Sequence, residues 1–269
     1  MNDNTLRALV TGATGGIGRA IGLELVRQAR RDGAQIRLAA AASREGPALQ
    51  AVVDEWTAAG AQAVGLAADL TDPASCASLV ERAQAACGGL SLLVSNAGAS
   101  VRGQLDDLAV EQWDATFSLN VRATWLLARA ARPALAAAHG SIVAIASMSG
   151  LHPHPGYGAY SPAKAALIML CRQLAQEWAA DRIRVNAVCP GMIRTPLTEA
   201  VYQDAEVAAE REALVPLARI GRGEDVAAAV AYLASAGASY VTGQQLVVDG
   251  GVADRMLALI PGRALKPAA

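Results

Sequence analysis

Three side chains that handle protons fall within residues 147–164: the hydroxyl of Ser147, the phenol of Tyr160 and the ammonium of Lys164. Tyr160 and Lys164 stand at i and i+4, so a helix from Ala159 onward stacks phenol and ammonium on one face. Pro162 fits such a helix only near its start, which places Tyr160 in or beside the first turn. Free tyrosine, with a pKa near 10, is a weak acid at neutral pH, and bringing it to about 7 requires roughly 4 kcal/mol of phenolate stabilisation. One cation about 4 Å away, at an effective dielectric of ~20, supplies about that much. Lys164 is therefore expected to lower the Tyr160 pKa and make the phenol a general acid/base. Ser147 does not ionise in this range. Its hydroxyl suits a hydrogen bond to a developing oxyanion.

These groups need a framework. Ser141 to Ala146 reads as the strand that ends beside Ser147. At the other end of the chain, the apolar strand Leu6 to Val10 runs into Thr11-Gly12-Ala13-Thr14-Gly15-Gly16-Ile17-Gly18, followed by the helical spacing of Ala20, Ile21, Leu25 and Val26. Strand, glycine-rich turn and helix outline a dinucleotide site: glycines let backbone N–H groups approach a pyrophosphate, and the helix N-terminus adds partial positive charge. In isolation the turn would be only a tight βα connection. Its place after the first strand of an alternating chain favours nucleotide binding.

Further strands are expected at 35–42, 61–67, 90–95, 183–188 and 245–248. Helices are expected at 47–59, 73–86, 110–138 with a break near Pro133, 159–180, 199–212 and 224–234. Seven strands alternating with helices predict an α/β fold, a mainly parallel sheet covered on both faces. No linker or repeat divides the 269 residues, so a single domain is expected.

With 53% hydrophobic and 17% charged residues the chain can bury a large core. Lys plus Arg total 23 against 24 Asp plus Glu, with no basic run, which argues against nucleic acid or anionic membrane as partner and leaves small molecules. No stretch reaches the ~18 apolar residues of a membrane span. Cys76, Cys87, Cys171 and Cys189 form no C-x-x-C pair, and Met1-Asn2-Asp3-Asn4 leads into a strand without a signal-peptide apolar segment. A reduced, cytoplasmic protein is expected.

The motifs T-G-x-x-x-G-x-G at Thr11 to Gly18, N-A-G at Asn96 to Gly98, Asn120, Ser147, Y-x-x-x-K at Tyr160 to Lys164, P-G-x-x-x-T at Pro190 to Thr195 and V-D-G-G at Val248 to Gly251 occur in that order. Over about residues 5–251 the chain thereby resembles the short-chain dehydrogenase/reductase superfamily, most of all its 3-oxoacyl reductase and sugar or secondary-alcohol dehydrogenase group. The resemblance implies a Rossmann-type, doubly wound seven-stranded domain with residues 252–269 as a C-terminal tail. It also implies hydride transfer between NAD(P)(H) and a carbonyl or carbinol carbon.

By the same resemblance Tyr160 is the general acid/base, Ser147 donates to the carbonyl oxygen, Lys164 serves both phenol and nicotinamide ribose, and Asn120 holds a proton-relay water. It places Gly12, Thr14, Gly16, Ile17 and Gly18 in the nucleotide turn, Asp69 near the adenine, and Asn96, Ala97 and Gly98 beside the adenosine ribose. Ile193 and Thr195 fall near the carboxamide, and Leu70, Pro190 and Gly191 count among the cofactor contacts. Two departures stand out. Ser95 replaces a usual second Asn, and the first helix looks about one turn longer, through Arg30-Arg31-Asp32.

The end of the second strand reads Leu38-Ala39-Ala40-Ala41-Ala42-Ser43-Arg44, with no acid before Glu45 to bind ribose hydroxyls. Arg44 can pair a 2′-phosphate bidentately and Ser43 can add a hydrogen bond, so NADP(H) is favoured over NAD(H), although Gly15 stands where NADP-users often carry a base. His152 and His154 lack a third ligand at a recognisable spacing, so no metal is expected. Tyr157 is expected in a pocket wall, and Asp249 is either a ligand-facing carboxylate or a turn residue. Substrate-facing loops are expected at 99–105, 149–157 and 192–214, compatible with a ketone, an acyl thioester or a polyol. Residues 165–171 are apolar around almost two turns, which predicts a helix buried on every side and a homo-oligomer, dimer or tetramer. The alternatives are an NAD-dependent sugar or secondary-alcohol dehydrogenase and a cofactor-sensing protein without catalysis. The second predicts loss of the phenol, ammonium or serine, and all three are present.

Overall fold

A computed structural model describes residues 4–196 and 198–255. The first half alternates β1 (Thr5–Thr11), α1 (Gly16–Arg31), β2 (Gln35–Ala42), α2 (Pro47–Ala59), β3 (Gln62–Ala67), α3 (Pro73–Cys87) and β4 (Leu92–Ser95). The second continues with α4 (Val110–Phe117), α5 (Ala123–Ala138), β5 (Ser141–Ile145), α6 (Tyr160–Glu177) and β6 (Arg184–Pro190). It closes with β7 (Ile193–Arg194), α7 (Glu199–Tyr202), α8 (Ala205–Leu214), β8 (Gly221–Arg222), α9 (Gly223–Ala234) and β9 (Gln245–Val248).

Seven strands form one sheet in the order β3-β2-β1-β4-β5-β6-β9, every pair parallel. β7 and β8 make a separate two-stranded parallel ladder. Successive residues of a strand point to opposite faces, and the core divides accordingly. Leu9, Leu93 and Ile142 pack with α3, α5 and α6, while Val10, Val94 and Val143 pack with α1, α2 and α9. The strand order reverses between β1 and β4, which opens a crevice at the carboxyl ends of those strands.

The structure departs from the sequence expectations in two of its helical stretches. The break in 110–138 is not at Pro133, which lies inside α5. Pro133 is exposed, so water reaches the carbonyl its missing N–H leaves free. The helix instead loosens into a π-turn over Ser118–Arg122, carrying Asn120, whose side-chain amide donates to Thr116 O at 2.9 Å. The single helix expected over 199–212 is two, because Asp204 caps α8 by accepting from the N–H groups of Glu206 and Val207 at 3.0 and 3.2 Å. On the helix over 165–171 the sheet covers one side only, and Met169 is 57% exposed within the single chain. Asp249 proves to be a turn residue, accepting from Gly251 N at 2.8 Å and Ala253 N at 2.7 Å. The expectations for the N-terminal residues 1–3, and for the tail beyond Arg255, lie outside the described residues.

Candidate active site

A cleft of about 540 Å³ occupies the crevice between β1 and β4. Thr11, at the end of β1, holds its two walls together: its Oγ1 accepts from the N–H groups of Asn96 and Ala97, both at 3.0 Å. Asn96 Nδ2 returns the link by donating to Thr11 O and Gly12 O, again at 3.0 Å. Gly12 has φ +63°, and a Cβ there would stand 2.9 Å from Asn96 Nδ2 and 3.0 Å from Ala97 Cα, so the turn needs a glycine. α1 begins without a side-chain cap and without an acid in its first turn. Its uncapped N–H groups beside the glycine turn fit a pyrophosphate, which no side chain competes for.

From the turn, Gly12, Thr14, Gly16 and Ile17 line this cleft, and so do Asn96, Ala97 and Gly98 on the facing wall. Ser43, Asp69, Leu70 and Thr195 complete the set of anticipated residues found there. Thr71, Gly15 and Leu119 join them and were not anticipated. Asp69 Oδ1 accepts from Thr71 Oγ1 at 2.7 Å and Thr71 N at 2.8 Å, and the hydroxyl bond first, then the amide, holds the carboxyl below its ordinary range. Gly18 lies behind the lining, where a Cβ would meet Gly12 O at 2.3 Å. Arg44 is exposed beside Ser43 and makes no hydrogen bond or ion pair among the described residues. Pro190 is the last residue of β6 and Gly191 follows it, donating to Val248 O at 3.0 Å. The Ile193 side chain turns toward Gly221 and lines a separate cavity of about 510 Å³, so only its backbone is available to the nucleotide side.

The proton-handling groups gather where α6 begins. Ser147 leaves β5 with extended backbone, and its Oγ accepts from Ser149 N at 3.1 Å. Tyr160 is the first residue of α6, and Lys164 lies one turn on with its Nζ 5.6 Å from the Tyr160 ring centroid. Lys164 is 3% exposed and donates to Ile145 O at 2.8 Å. Burial pushes its pKa down from 10.5 to about 8. Asn120 Nδ2 donates to Ala99 O at 2.8 Å as well as to Thr116, while its Oδ1 is buried without a partner among the described residues. A Cβ at Gly98 would stand 2.6 Å from Asn120 Oδ1 and 3.2 Å from Lys164 Nζ. The bare glycine is what lets an unpaired acceptor and an ammonium share this corner.

The expectation that Lys164 lowers the Tyr160 pKa is corrected. Burial raises the phenol above its ordinary value, a hydrogen bond with Ser147 draws it back in part, and Tyr157 raises it further. Lys164 is not among the groups that set this pKa; its ammonium donates instead to the Ile145 carbonyl. The chain by itself therefore holds Tyr160 protonated, which is the acid form.

Several contacts had no signal in the sequence. Cys189 on β6 takes a hydrogen bond from the Ser147 backbone, and burial lifts this thiol to about 11. His154 Nδ1 and Ser149 Oγ are 3.0 Å apart, and the His154 ring stacks on Tyr157 with centroids at 3.8 Å. Tyr157 in turn stands 6.5 Å from the Tyr160 ring. Among the described residues no group of three His, Cys, Asp or Glu could hold a metal, and no helix is long and apolar enough to cross a membrane.

A wholly parallel dinucleotide fold whose cleft ends at serine, tyrosine, lysine and asparagine defines a class of oxidoreductases. The family described as enoyl-(acyl carrier protein) reductase matches residues 13–253. The 3-oxoacyl-(acyl-carrier-protein) reductase FabG of Escherichia coli is 38% identical over 253 residues, covering 94% of this chain and 99% of that protein. The structure of a short-chain alcohol dehydrogenase from Sinorhizobium meliloti, so described provisionally, superposes with a TM-score of 0.85 at 34% identity, over 92% of this chain and 96% of that one. That of an NAD(P)-dependent gluconate 5-dehydrogenase from Beutenbergia cavernae, similarly provisional and with bound NADP, superposes with a TM-score of 0.81 at 37% identity, over 93% and 96%. The chain belongs to the short-chain dehydrogenase/reductase superfamily and is an NAD(P)-dependent enzyme acting on CH–OH groups.

Proposed function

We propose that the protein is an NADP(H)-linked oxidoreductase of ketones, 3-oxoacyl groups or polyols, with Tyr160 as general acid/base. The observation that carries this reading is the convergence of Ser147, Tyr160, Lys164 and Asn120 at one end of the β1–β4 cleft. A nicotinamide dinucleotide in that cleft supplies or takes up the hydride. Ser147, whose oxygen accepts the Ser149 N–H and whose hydroxyl bonds Tyr160, turns its proton to the substrate oxygen when that oxygen comes to lie between them. Tyr160, held protonated by burial, gives its proton to that oxygen as charge develops there. Lys164, with a pKa of about 8, can return a proton to the phenol, and the unpaired Asn120 Oδ1 is an acceptor suited to holding a relay water beside it.

NADP(H) is supported by the absence of an acid at the end of β2, by Ser43 in the cleft wall and by the unpaired Arg44 beside it. It is supported also by the NADP in the gluconate dehydrogenase structure. An assay at 340 nm over 3-oxoacyl thioesters, cyclic ketones and polyols should show turnover with NADPH preferred to NADH. Arg44→Ala should lower kcat/KM for NADPH about tenfold, the worth of a charged hydrogen bond, with little change for NADH. An unchanged cofactor ratio would remove the NADP assignment, and no turnover of any class would remove the reaction.

The reading includes a cytoplasmic homo-oligomer, a dimer or tetramer. Supporting it are the exposed Trp113, Trp125 and Met169 on α4, α5 and α6, and Leu246 and Val247 on the edge strand β9. The four buried, unbridged cysteines suit a reducing compartment. Only monomer in sedimentation at micromolar concentration would refute the assembly.

A further inference from the structure

We propose that Tyr157 is a specificity-determining residue: its ring closes the substrate side of the site against an outer cavity, and so holds the enzyme to ketones, or the matching secondary alcohols, with a short arm on that side. The inference rests on the oxidoreductase reading of the same site and narrows its substrate class.

The Tyr157 ring takes part in two ring contacts. It stands 6.5 Å from the Tyr160 ring and stacks on the His154 ring with centroids at 3.8 Å. Carbon atoms touch at about 3.5–4.0 Å, so a methylene chain passing between two rings needs about 7–8 Å from one to the other. Neither spacing provides that. On the other side of His154 lies a cavity of about 850 Å³, lined in part by Gly103, Leu105, Leu151, His154, Gly156 and Ala165. Ser147, Tyr157, Tyr160 and Lys164 are not in its lining. The cavity adjoins the loop that carries Tyr157, yet the proton-handling groups do not open into it, and the stack of His154 on Tyr157 stands at the join.

The ring is held against swinging aside. Gly156 and Gly158, at φ +79° and +49°, turn the chain on either side of Tyr157 through conformations that suit glycine. Gly103 donates to Gly156 O and accepts from Gly158 N, both at 3.0 Å, which ties this turn to the loop after β4. Tyr157 O accepts from Tyr160 N, also at 3.0 Å. His154 is fixed in turn: its N–H donates to Ser161 Oγ at 3.1 Å, and its Nδ1 lies 3.0 Å from Ser149 Oγ. The Arg102 guanidinium carbon, 5.2 Å from the Tyr157 centroid, adds a cation–π contact. Surface packing alone would not need a ring tied from so many directions. A barrier one ring thick does, because it excludes a chain only while it stays in place.

The probes are the symmetric ketones 3-pentanone and 5-nonanone, since whichever way such a ketone lies, one arm meets Tyr157. In wild type, kcat/KM for 3-pentanone should exceed that for 5-nonanone by about tenfold or more, because the longer arm meets a fixed ring. Tyr157→Ala should raise the ratio of 5-nonanone to 3-pentanone by about tenfold or more, Tyr157→Leu by less, and Tyr157→Phe, which keeps the ring, not at all. Tyr157→Ala/Ala165→Phe, which refills the cavity, should return the ratio toward wild type. A general loosening of the site would not respond to a side chain placed there. Calorimetric titration of both ketones into protein saturated with NADP⁺, which cannot reduce them, gives a readout without turnover. Tighter binding of 5-nonanone by Tyr157→Ala than by wild type supports the barrier even if the oxidoreductase reading fails. Turnover with one and the same ratio in wild type, Tyr157→Ala and Tyr157→Leu overturns the barrier and leaves that reading intact, and so does equal use of both ketones by wild type. A raised ratio that Ala165→Phe does not lower overturns the cavity as the space closed off. Equal binding by wild type and Tyr157→Ala, with no turnover in either, overturns both readings.

Discussion

The cleft between β1 and β4 is lined by glycines, short side chains and backbone, clamped from within by Thr11 and Asn96. Beside Tyr160 the surroundings are long side chains brought in by separate loops: the Tyr157 ring stands 6.5 Å away, His154 stacks on it, and the Arg102 guanidinium carbon lies 5.2 Å from its centroid. A nucleotide is recognised through its phosphates, which backbone N–H groups and a helix N-terminus serve wherever glycine permits close approach. A substrate is recognised through groups peculiar to it, and only side chains can vary enough to meet them. The two regions meet at the catalytic residues, where burial matters more than charge in setting the Tyr160 pKa.

Two substitutions probe that division. The larger effect belongs to Tyr160→Phe, which should lower kcat by about 10²–10⁴ while nucleotide affinity, read by calorimetry, stays close to wild type. If affinity fell in proportion, the nucleotide cleft and the chemistry would not be separable. A smaller effect follows from Thr11→Val, which keeps the shape but strips the acceptor from two backbone N–H groups. Each orphaned donor should cost about 1–3 kcal/mol, measured by urea unfolding. Nucleotide affinity should fall with it, and the preference among ketone, acyl thioester and polyol substrates should not change. A shift in that preference would show that the β1–β4 clamp also shapes the substrate side.

Much of the fold was legible because its signals are local. Pro47 and Gly60 bracket α2, and the bounds of β2, α2 and β9 coincide with those expected from apolar runs and these breakers. Tyr160 opens α6 as Pro162 required. The π-turn over Ser118–Arg122 was not legible, since helical residues run through it and the Asn120 side chain it carries is held by Ala99, in a loop distant in sequence. Asp204 did carry a signal, an acid ahead of a helical run, and marks the boundary between α7 and α8.

The sequence by itself determined the alternation of strands and helices, the glycine turn, and the identity and spacing of Ser147, Tyr160 and Lys164. These depend on short-range geometry: the two-residue period of a strand, the i and i+4 neighbours of a helix, the absence of a Cβ. Only the tertiary structure decided that Lys164 points to Ile145 O, that burial raises the Tyr160 pKa, that Asn120 Oδ1 stands unpaired among the described residues beside Gly98, and that His154 stacks on Tyr157. Desolvation and the summed field of distant charges depend on which surfaces are packed together, and that is a property of the assembled core, which no local spacing carries.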